Sequence, residues 1–315
     1  MTLQTFLALL GDPLDGTNND TLYEDTFAVL AHRPPPKNLG FIDHTSSSLS
    51  VTVNGHDFAI NQSPQLLKSQ RAGGTTGAVV WSLTPLLASF LTSPTNPLAV
   101  HGILTPQATI LELGSGVSSI LALSFAVAPQ YLRPARIVLS DQEYVLKIAR
   151  QNVEDNLHAA GQPGSVSPLI LDLISLDWER DSLHHHPAFS QGSGMGHISL
   201  VVVVDCIYNE SLIPHLIETC VDACSTTSTS FNTVHSSLLN SESGTLVLVA
   251  LELRSPDVLD CFLEQFTMYF KVWRVPDSLV SKELRTGADA EGETVGSGYA
   301  VYCGTLMGNV NQAKR

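Results

Sequence analysis

TILELGSG, at residues 109–116, is the stretch that decides the fold of this chain. An apolar strand pattern runs into the acid Glu112 and then into a Gly-x-Gly turn at 114–116, and the helical pattern of 117–128 follows directly. A strand that ends at a glycine turn and leads into a helix lets a ligand lie against the backbone, because glycine has no Cβ to block the approach. The residues downstream decide which ligand the turn serves.

Strand and helix patterns alternate from this stretch to the end of the chain. Strands are predicted at 110–113, 136–140, 167–171, 199–204, 245–251, 272–275 and 299–305. Helices are predicted between them at 118–128, 143–156, 212–224 and 257–270. Continuous apolar strands indicate that both faces of the sheet are covered. The alternation therefore predicts an α/β fold with a doubly wound, mainly parallel, seven-stranded sheet.

The N-terminal part of the chain has a different pattern. Residues 1–48 are predicted to be irregular, with Pro34-Pro35-Pro36 as a stiff break. Two alternating runs, 49–53 and 56–60, flank Asn54-Gly55, and this arrangement is typical of a β-hairpin.

A glycine-rich segment, Gly73-Gly74-Thr75-Thr76-Gly77, leads to a predicted entry helix at 78–91, which carries Trp81. We expect one domain over 49–315. It consists of the hairpin and entry helix at 49–95 and a core at 105–308.

Composition limits the class of protein. The chain has 315 residues, of which 43% are hydrophobic, enough for a well-buried core. Its net charge of −14 argues against nucleic-acid binding, which needs a basic surface, and suits a basic partner. No apolar run reaches the ~18 residues that span a bilayer, and the N-terminus lacks the basic start of a secretory signal. We expect a cytoplasmic protein, with the nucleus as the alternative, and no membrane association.

Three segments rich in Ser, Thr, Gly and His, at 184–197, 225–243 and 281–297, are predicted to be surface loops. The run His184-His185-His186 does not predict a metal site, because consecutive residues rarely converge on one ion. The five cysteines lack CxxC spacing, and Cys220 and Cys224, one helical turn apart in an apolar stretch, are predicted to be buried thiols.

Acidic residues stand at the ends of three predicted strands. Glu112 belongs to the opening stretch, and Asp205 follows the fourth strand. Asp141 follows the second strand, 25 positions after Gly116, close to the ~20 expected of an acid that binds ribose hydroxyls. A dinucleotide site is disfavoured because Ser119 occupies the place of the third glycine in Gly-x-Gly-x-x-Gly. The sequence also lacks the P-loop and nucleophile-elbow motifs.

Together these motifs resemble those of class I S-adenosylmethionine-dependent methyltransferases. The stretch at 112–116 and the pair Ser140-Asp141 are similar to the first two motifs of that class. Three further features, the glycine-rich segment with Trp81, Leu176-Asp177-Trp178 and Asp205-Cys206-Ile207-Tyr208, resemble the methyltransferase-21-like protein-lysine methyltransferases. The run at 205–215 is most similar to the fungal ribosomal-lysine branch of that family. The resemblance extends over 48–306, and the chain departs from it in the three insertions and at Ser118-Ser119.

The resemblance implies a Rossmann-like fold, the cofactor S-adenosyl-L-methionine and methyl transfer to a protein lysine. The cofactor-binding residues that it implies are Trp81, Glu112, Gly114, Ser115, Gly116, Asp141, Trp178 and Val204. Among them, Asp141 would hold the ribose and Trp178 would pack on the adenine. The implied partner is a basic protein substrate, a large-subunit ribosomal protein.

The resemblance also implies Asp205 and Tyr208 as catalytic residues that shape the slot for the lysine amine. We hypothesise that they orient the ammonium group and let its proton leave to water. No metal is expected.

Other functions share the same cofactor motifs. A protein-lysine methyltransferase of another target, such as a chaperone or elongation factor, and a small-molecule methyltransferase both stay open. A non-catalytic binding module is disfavoured because the glycine turn and the ribose acid are intact. The segment Glu252-Leu253-Arg254, after the fifth strand, is expected to form a surface ion pair rather than to reach the substrate channel.

Overall fold

The structure is a computed structural model. It describes residues 2–34, 38–71, 74–159, 169–190, 195–229, 244–289 and 295–308. The helices are α1 Leu3–Leu7, α2 Asn19–Ala31, α3 Pro64–Leu67, α4 Leu83–Leu91, α5 Pro97–Val100, α6 Ile120–Val127, α7 Glu143–Ala159, α8 Ile213–Thr229 and α9 Pro256–Thr267. The strands are β1 Ser48–Val53, β2 His56–Asn61, β3 Thr109–Leu113, β4 Arg136–Asp141, β5 Ile170–Ser175, β6 Leu200–Val204, β7 Leu246–Glu252, β8 Phe270–Arg274 and β9 Tyr299–Leu306.

Seven strands form one sheet in the order β5-β4-β3-β6-β7-β9-β8, in which β9 runs antiparallel to both of its neighbours. The predicted fold class is therefore confirmed. The chain winds outward from β3 in one direction and from β6 in the other, so a switch point lies between β3 and β6. Ligands of open α/β sheets bind beside the carboxyl ends of the strands at such a point.

The sheet separates two hydrophobic cores. In β6, Val202 and Val204 pack into one core, while Val201 and Val203 pack into the other. Helices α4 and α6 contribute to the first core, and α2, α8 and α9 contribute to the second. None of the helices in the described residues is both long enough and apolar enough to cross a membrane.

The predicted hairpin is present as β1 and β2, paired around Asn54-Gly55. Two asparagines of α7 bind the free edge of β2. The side chain of Asn152 accepts from Asn61 N–H (2.8 Å) and donates to its carbonyl (2.9 Å), and Asn156 does the same at Ala59 (3.0 and 2.9 Å). The hairpin is therefore held to the core through otherwise unpaired backbone groups.

The expectation of an irregular segment at 1–48 is wrong, because α1 and α2 lie within it. The Asn18 side chain caps α2 by accepting from Asp20 N–H. Leu22, Thr26 and Val29 of this helix are buried. Their spacing of four and three residues was the helical signal present in the sequence. Pro35 and Pro36 lie outside the described residues.

The entry helix α4 begins later than predicted, at Leu83, so Trp81 precedes it. Trp81 instead forms an isolated antiparallel bridge with Phe41, and Ser82 N–H donates to Gly40 O at 2.8 Å. This pairing keeps the backbone at 81 out of the helix.

The third strand is also displaced, to Ile170–Ser175. Gly73 and parts of the three insertions, 191–194, 230–243 and 290–294, lie outside the described residues.

Candidate active site

The glycine turn after β3 is held by the end of β4. The N–H groups of Gly114 and Ser115 both donate to Ser140 O, at 2.9 and 3.1 Å. The Ser140 hydroxyl in turn donates to Glu112 O at 2.8 Å. Gly114 has φ +75° and Gly116 has φ +61°, in the left-handed region that favours glycine. The two glycines therefore allow the backbone to turn at the end of β3, at the switch point of the sheet.

Asp141, at the end of β4, is tied directly to this turn. Its carboxylate accepts from Gly116 N–H (2.8 Å) and from Gln142 N–H (2.7 Å). Burial raises the pKa of Asp141 to about 6, and the two N–H donors oppose that rise. Each carboxylate oxygen keeps a further lone pair, so Asp141 is able to accept hydrogen bonds from hydroxyl groups of a ligand.

Glu112 lies in β3 and is 2% exposed. Its Oε2 has no hydrogen-bond partner among the described residues. Burial, and secondly the charge of Asp141, raise the pKa of Glu112 to about 8. A buried oxygen without a partner is costly, and the predicted contact of Glu112 with the cofactor stays a prediction.

A cavity of 360 Å³ opens at this edge of the sheet, a size typical of small-molecule sites. Its lining includes every predicted site residue except Glu112, namely Trp81, Gly114, Ser115, Gly116, Asp141, Trp178, Val204, Asp205 and Tyr208. The lining also contains Thr76, Gly77, Gln142 and Tyr144, which are not among the predicted site residues. The pair Thr76-Gly77 belongs to a glycine-rich segment already quoted, while the other two follow Asp141 by one and three positions.

The segment before α4 crosses the glycine turn. Gly77 O accepts from Val117 N–H at 2.9 Å. A Cβ at Gly116 would lie 3.2 Å from the same carbonyl oxygen, and a Cβ at Gly77 would lie 3.2 Å from Tyr144 Oη. Glycine at 116 therefore allows the close approach of the two backbones, and glycine at 77 leaves room for the Tyr144 side chain.

A second group of residues forms what we call the aromatic slot, made of Thr76, Trp81, Asp205 and Tyr208. The indole N–H of Trp81 donates to Thr76 O at 3.0 Å, and the hydroxyls of Thr76 and Tyr208 lie 3.0 Å apart. Burial raises the pKa of Tyr208 above its ordinary value, so its hydroxyl stays protonated. Hydrogen bonds thus join Trp81, Thr76 and Tyr208 across the slot.

Asp205 is not a free carboxylate. Its two oxygens accept from Arg254 Nη1 (2.6 Å) and Nη2 (2.7 Å), and Oδ1 also accepts from Glu252 N–H (3.2 Å). The side chains of Asp205 and Arg254 are 1% and 24% exposed. The expected ion pair at 252–254 is present, since Arg254 Nη2 also donates to Glu252 Oε2 at 2.6 Å, and neither residue lines the cavity. Only its expected place at the surface is wrong, because the side chains of Arg254 and Glu252 are 24% and 12% exposed. Arg254 also pairs with Asp205, because β6 and β7 are neighbouring parallel strands and the two residues follow their carboxyl ends.

Trp178 follows β5 and lies on the glycine turn. A Cβ at Gly114 would be 3.1 Å from its Cζ2 atom. The indole N–H of Trp178 has no hydrogen-bond partner among the described residues. The ring is therefore fixed beside the cavity with a donor still available, and its packing on an adenine stays a prediction.

Comparison with known protein families decides what this site serves. The model of a family described as lysine methyltransferase matches residues 60–246, more than half of the chain. The chain belongs to the lysine methyltransferase family. The matched region includes Trp81, the glycine turn, Asp141, Trp178 and the Asp205–Tyr208 motif. The predicted enzyme class and the predicted cofactor, S-adenosyl-L-methionine, are confirmed at the level of this family.

Several curated relatives are similar to this lysine methyltransferase over most of its length. Ribosomal lysine N-methyltransferase 5 of Zygosaccharomyces rouxii is 26% identical over 71% of this chain and 74% of the relative. The protein of the same name in Lachancea thermotolerans is 25% identical over 78% of this chain and 87% of the relative.

A Schizosaccharomyces pombe protein named diaminohydroxyphosphoribosylamino-pyrimidine deaminase is 27% identical over 80% of this chain. The match covers 53% of that relative, so the chain spans about half of its length. The deaminase name is therefore not carried over to this lysine methyltransferase. Among the described residues, no group of three or more His, Cys, Asp or Glu side chains is placed to hold a metal ion.

The residues of the cavity fit S-adenosyl-L-methionine. The bare backbone of Gly114 and Gly116 leaves room for a ligand, and Asp141 keeps lone pairs for hydroxyl groups. Two polar atoms of the lining, Ser115 Oγ and Trp178 Nε1, lack partners in the described part of the chain. When bound, the cofactor supplies an activated methyl group on a sulfonium sulfur.

Proposed function

We propose that this lysine methyltransferase transfers a methyl group to a lysine of a large-subunit ribosomal protein. The observation that carries the proposal is the aromatic slot. Trp81 and Tyr208 supply two aromatic side chains, and Asp205 supplies a carboxylate, on the same cavity as the glycine turn. Aromatic rings and a compensated carboxylate suit the long apolar stem and the amine of a lysine.

The chemistry asks the protein mainly for alignment. The nitrogen lone pair of the amine forms the new N–C bond while the C–S bond of the sulfonium breaks, so the amine must arrive without its proton. Free lysine has a pKa near ~10.4, and the slot must therefore favour the uncharged form. After transfer, the proton on nitrogen leaves to solvent.

Two further observations support a ribosomal target. Relatives that share the name ribosomal lysine N-methyltransferase 5 are similar over 71% and 78% of this chain. The net charge of −14 suits a basic protein, because opposite charges raise the rate of encounter. As part of the same proposal, the enzyme works in the cytoplasm, with the nucleus as the alternative, where new ribosomal proteins are accessible.

The test is labelling of ribosomes from cells that lack this protein, with purified enzyme and cofactor that carries a tritiated methyl group. We expect one labelled band that separates with the large subunit, and mass spectrometry that locates the methyl group on lysine. An Asp141→Ala variant serves as the control, which shows whether the label depends on binding of the cofactor. Label confined to a chaperone, an elongation factor or small molecules would contradict the proposal.

A further inference from the structure

Arg254 connects three parts of the structure behind the aromatic slot. Its guanidinium donates to both oxygens of Asp205 and, at 2.6 Å, to Glu252 Oε2. It lies 5.2 Å from the centre of the Trp81 ring. Its backbone carbonyl accepts from Arg33 Nη1 at 2.6 Å. These contacts fix the side chain of Arg254 against two residues of the slot.

The N-terminal segment closes over this ion cluster. Gly40 has φ +86°, and a Cβ there would overlap Glu252 Oε2 and lie 2.6 Å from Arg254 Nη2. Next to it, the Phe41 ring packs on Trp81 with 4.4 Å between ring centres. An exposed ion pair contributes little to stability and needs no such cover. The cover indicates that the position of Arg254 matters to the slot.

The charge of Asp205 explains why the position of Arg254 matters to the slot. Its side chain is 1% exposed, so its negative charge is poorly screened by water. An uncompensated carboxylate in the slot would stabilise a lysine as the ammonium ion, which has no lone pair for attack. The guanidinium of Arg254 places a positive charge directly on that carboxylate and removes this effect.

We propose that Arg254 is a positioning residue that compensates Asp205 so that the substrate lysine occupies the aromatic slot as the free amine. Arg254 acts through Asp205 and Trp81 and does not line the cavity itself. The inference rests on the lysine methyl transfer of the proposed function and does not depend on the ribosomal target.

The other charged and titratable groups around the cluster are few. Those that interact with Arg254 or its partners, or that face the slot, include Arg33, Asp141, Tyr144, Asp205, Cys206, Tyr208, Glu252 and Tyr299. Within the described residues, Arg254 is the cation that contacts the Asp205 carboxylate. Its removal leaves the Asp205 carboxylate without a guanidinium in contact, and leaves Glu252 only the charge of Arg33 nearby.

The first test is the pH dependence of kcat in Arg254→Gln and Arg254→Lys. Loss of the charge is expected to move the acid limb of the profile upward by about one pH unit, which is about a tenfold loss of rate at neutral pH that recovers in alkaline buffer. The lysine variant keeps the charge and is expected to show less than half of that shift. A loss of the same factor at every pH would show that Arg254 is merely structural and would overturn the inference.

Arg274→Gln is the matched control. Arg274 is also partly buried, at 19% exposure, and also binds two carboxylates, Asp25 and Asp289. None of these three residues lines the cavity of the active site. We expect this variant to lose stability without any shift of the acid limb. An equal shift in both variants would contradict a role that is specific to the slot.

The second test needs no protein substrate. Binding of n-butylamine to enzyme loaded with S-adenosylhomocysteine is measured at neutral pH, where the probe is an ammonium ion. Arg254→Gln is expected to bind it about tenfold more tightly than the wild type, and equal or weaker binding would overturn the inference. If Arg254→Gln binds n-butylamine more tightly but the enzyme does not label ribosomes, only the proposal of a ribosomal target is refuted.

A double variant covers the case in which Arg254→Gln does not fold. Asp205→Asn with Arg254→Gln removes both buried charges and keeps two groups that can hydrogen-bond. The inference requires that n-butylamine bind to this variant as weakly as to the wild type, since the slot is again compensated. Tight binding of the ammonium ion to the double variant would refute it.

Discussion

The backbone of Gly114 lies directly against the indole ring of Trp178. A Cβ on residue 114 would be 3.1 Å from Cζ2 and 3.2 Å from Cη2 of that ring, and 2.6 Å from Cys206 Sγ. Gly114 also has φ +75°. Two independent constraints, one steric and one conformational, therefore require glycine where the cofactor would pass closest to the backbone.

Gly114→Ala separates these constraints when it is compared with Gly55→Ala in the hairpin. Gly55 has nearly the same φ, +79°, but a Cβ there meets nothing within 4 Å. We expect Gly114→Ala to lower the affinity for S-adenosylhomocysteine at least about tenfold, because Trp178 and Cys206 must move. Gly55→Ala should cost only stability. Calorimetric titration and thermal unfolding measure the two effects, and equal affinities in both variants would contradict the steric argument.

Local backbone chemistry explains why much of this site was predictable. The turn at 114–116 and Asp205 each follow a strand, Asp141 ends one, and parallel strands bring their carboxyl ends to one edge. Seven strands followed from continuous apolar runs, and the structure contains all seven, with the third displaced. Such features depend on sequence neighbours and on the one rule that places ligands at the switch point.

Features that depend on distant pairing were not predictable in the same way. The contact between Asp205 and Arg254 joins residues 49 positions apart and requires the register of β6 against β7. The helix predicted at 78–91 includes Trp81, although Pro85 lies within that stretch. The bridge of Trp81 to Phe41, 40 positions earlier, overrides that local pattern.

The pKa of Asp141 predicts how cofactor affinity depends on pH. This carboxyl has a pKa of about 6 in the protein without ligand, and hydroxyl donors bind its ionised form. We expect the affinity for S-adenosylhomocysteine to fall as the pH is lowered through about 6. Asp141→Asn should lose about ten- to a hundredfold in affinity at neutral pH and show a flatter dependence on pH.

Calorimetric titrations at several pH values check this prediction. Asp57→Asn serves as the control, because Asp57 accepts from Thr52 in the hairpin and lies outside the cavity lining. It should retain both the affinity and the pH dependence of the wild type. An unchanged pH dependence in Asp141→Asn would assign the ribose contact to another residue.

Glu112 predicts a pH dependence of stability. Its pKa rises from an ordinary value of 4.5 to about 8 in the fold, so the folded state binds this proton more tightly than the unfolded state does. The resulting stabilisation is complete below pH 4.5 and is lost as the pH rises through about 8. Without cofactor, the wild type should therefore lose Tm from weakly acidic to alkaline pH, and Glu112→Gln should lose less.

Thermal unfolding of both proteins at constant ionic strength measures this difference. All other titrating groups are shared, so the difference between the two curves isolates Glu112. Parallel curves would mean that Glu112 finds a partner that holds it ionised in the folded state.

Ser119 predicts a stabilising substitution at the point where the chain departs from its family. It occupies the third position of the glycine pattern with φ +52°, a region that is unfavourable for residues with a Cβ. It is 1% exposed, and its hydroxyl has no partner among the described residues. Ser119→Gly is therefore expected to raise the free energy of unfolding by about 1 kcal/mol.

The neighbouring Ser118 supplies the control, since it is also buried but does not have a positive φ. Ser118→Gly should lower the free energy of unfolding by about 0.5–1 kcal/mol, because glycine there only adds flexibility to the unfolded chain. Urea denaturation of the two variants gives both values. The two changes in the free energy of unfolding must have opposite signs if the fold around the glycine turn imposes the left-handed backbone at 119. A loss of stability in both variants would show that the Ser119 side chain contributes packing that outweighs its backbone strain.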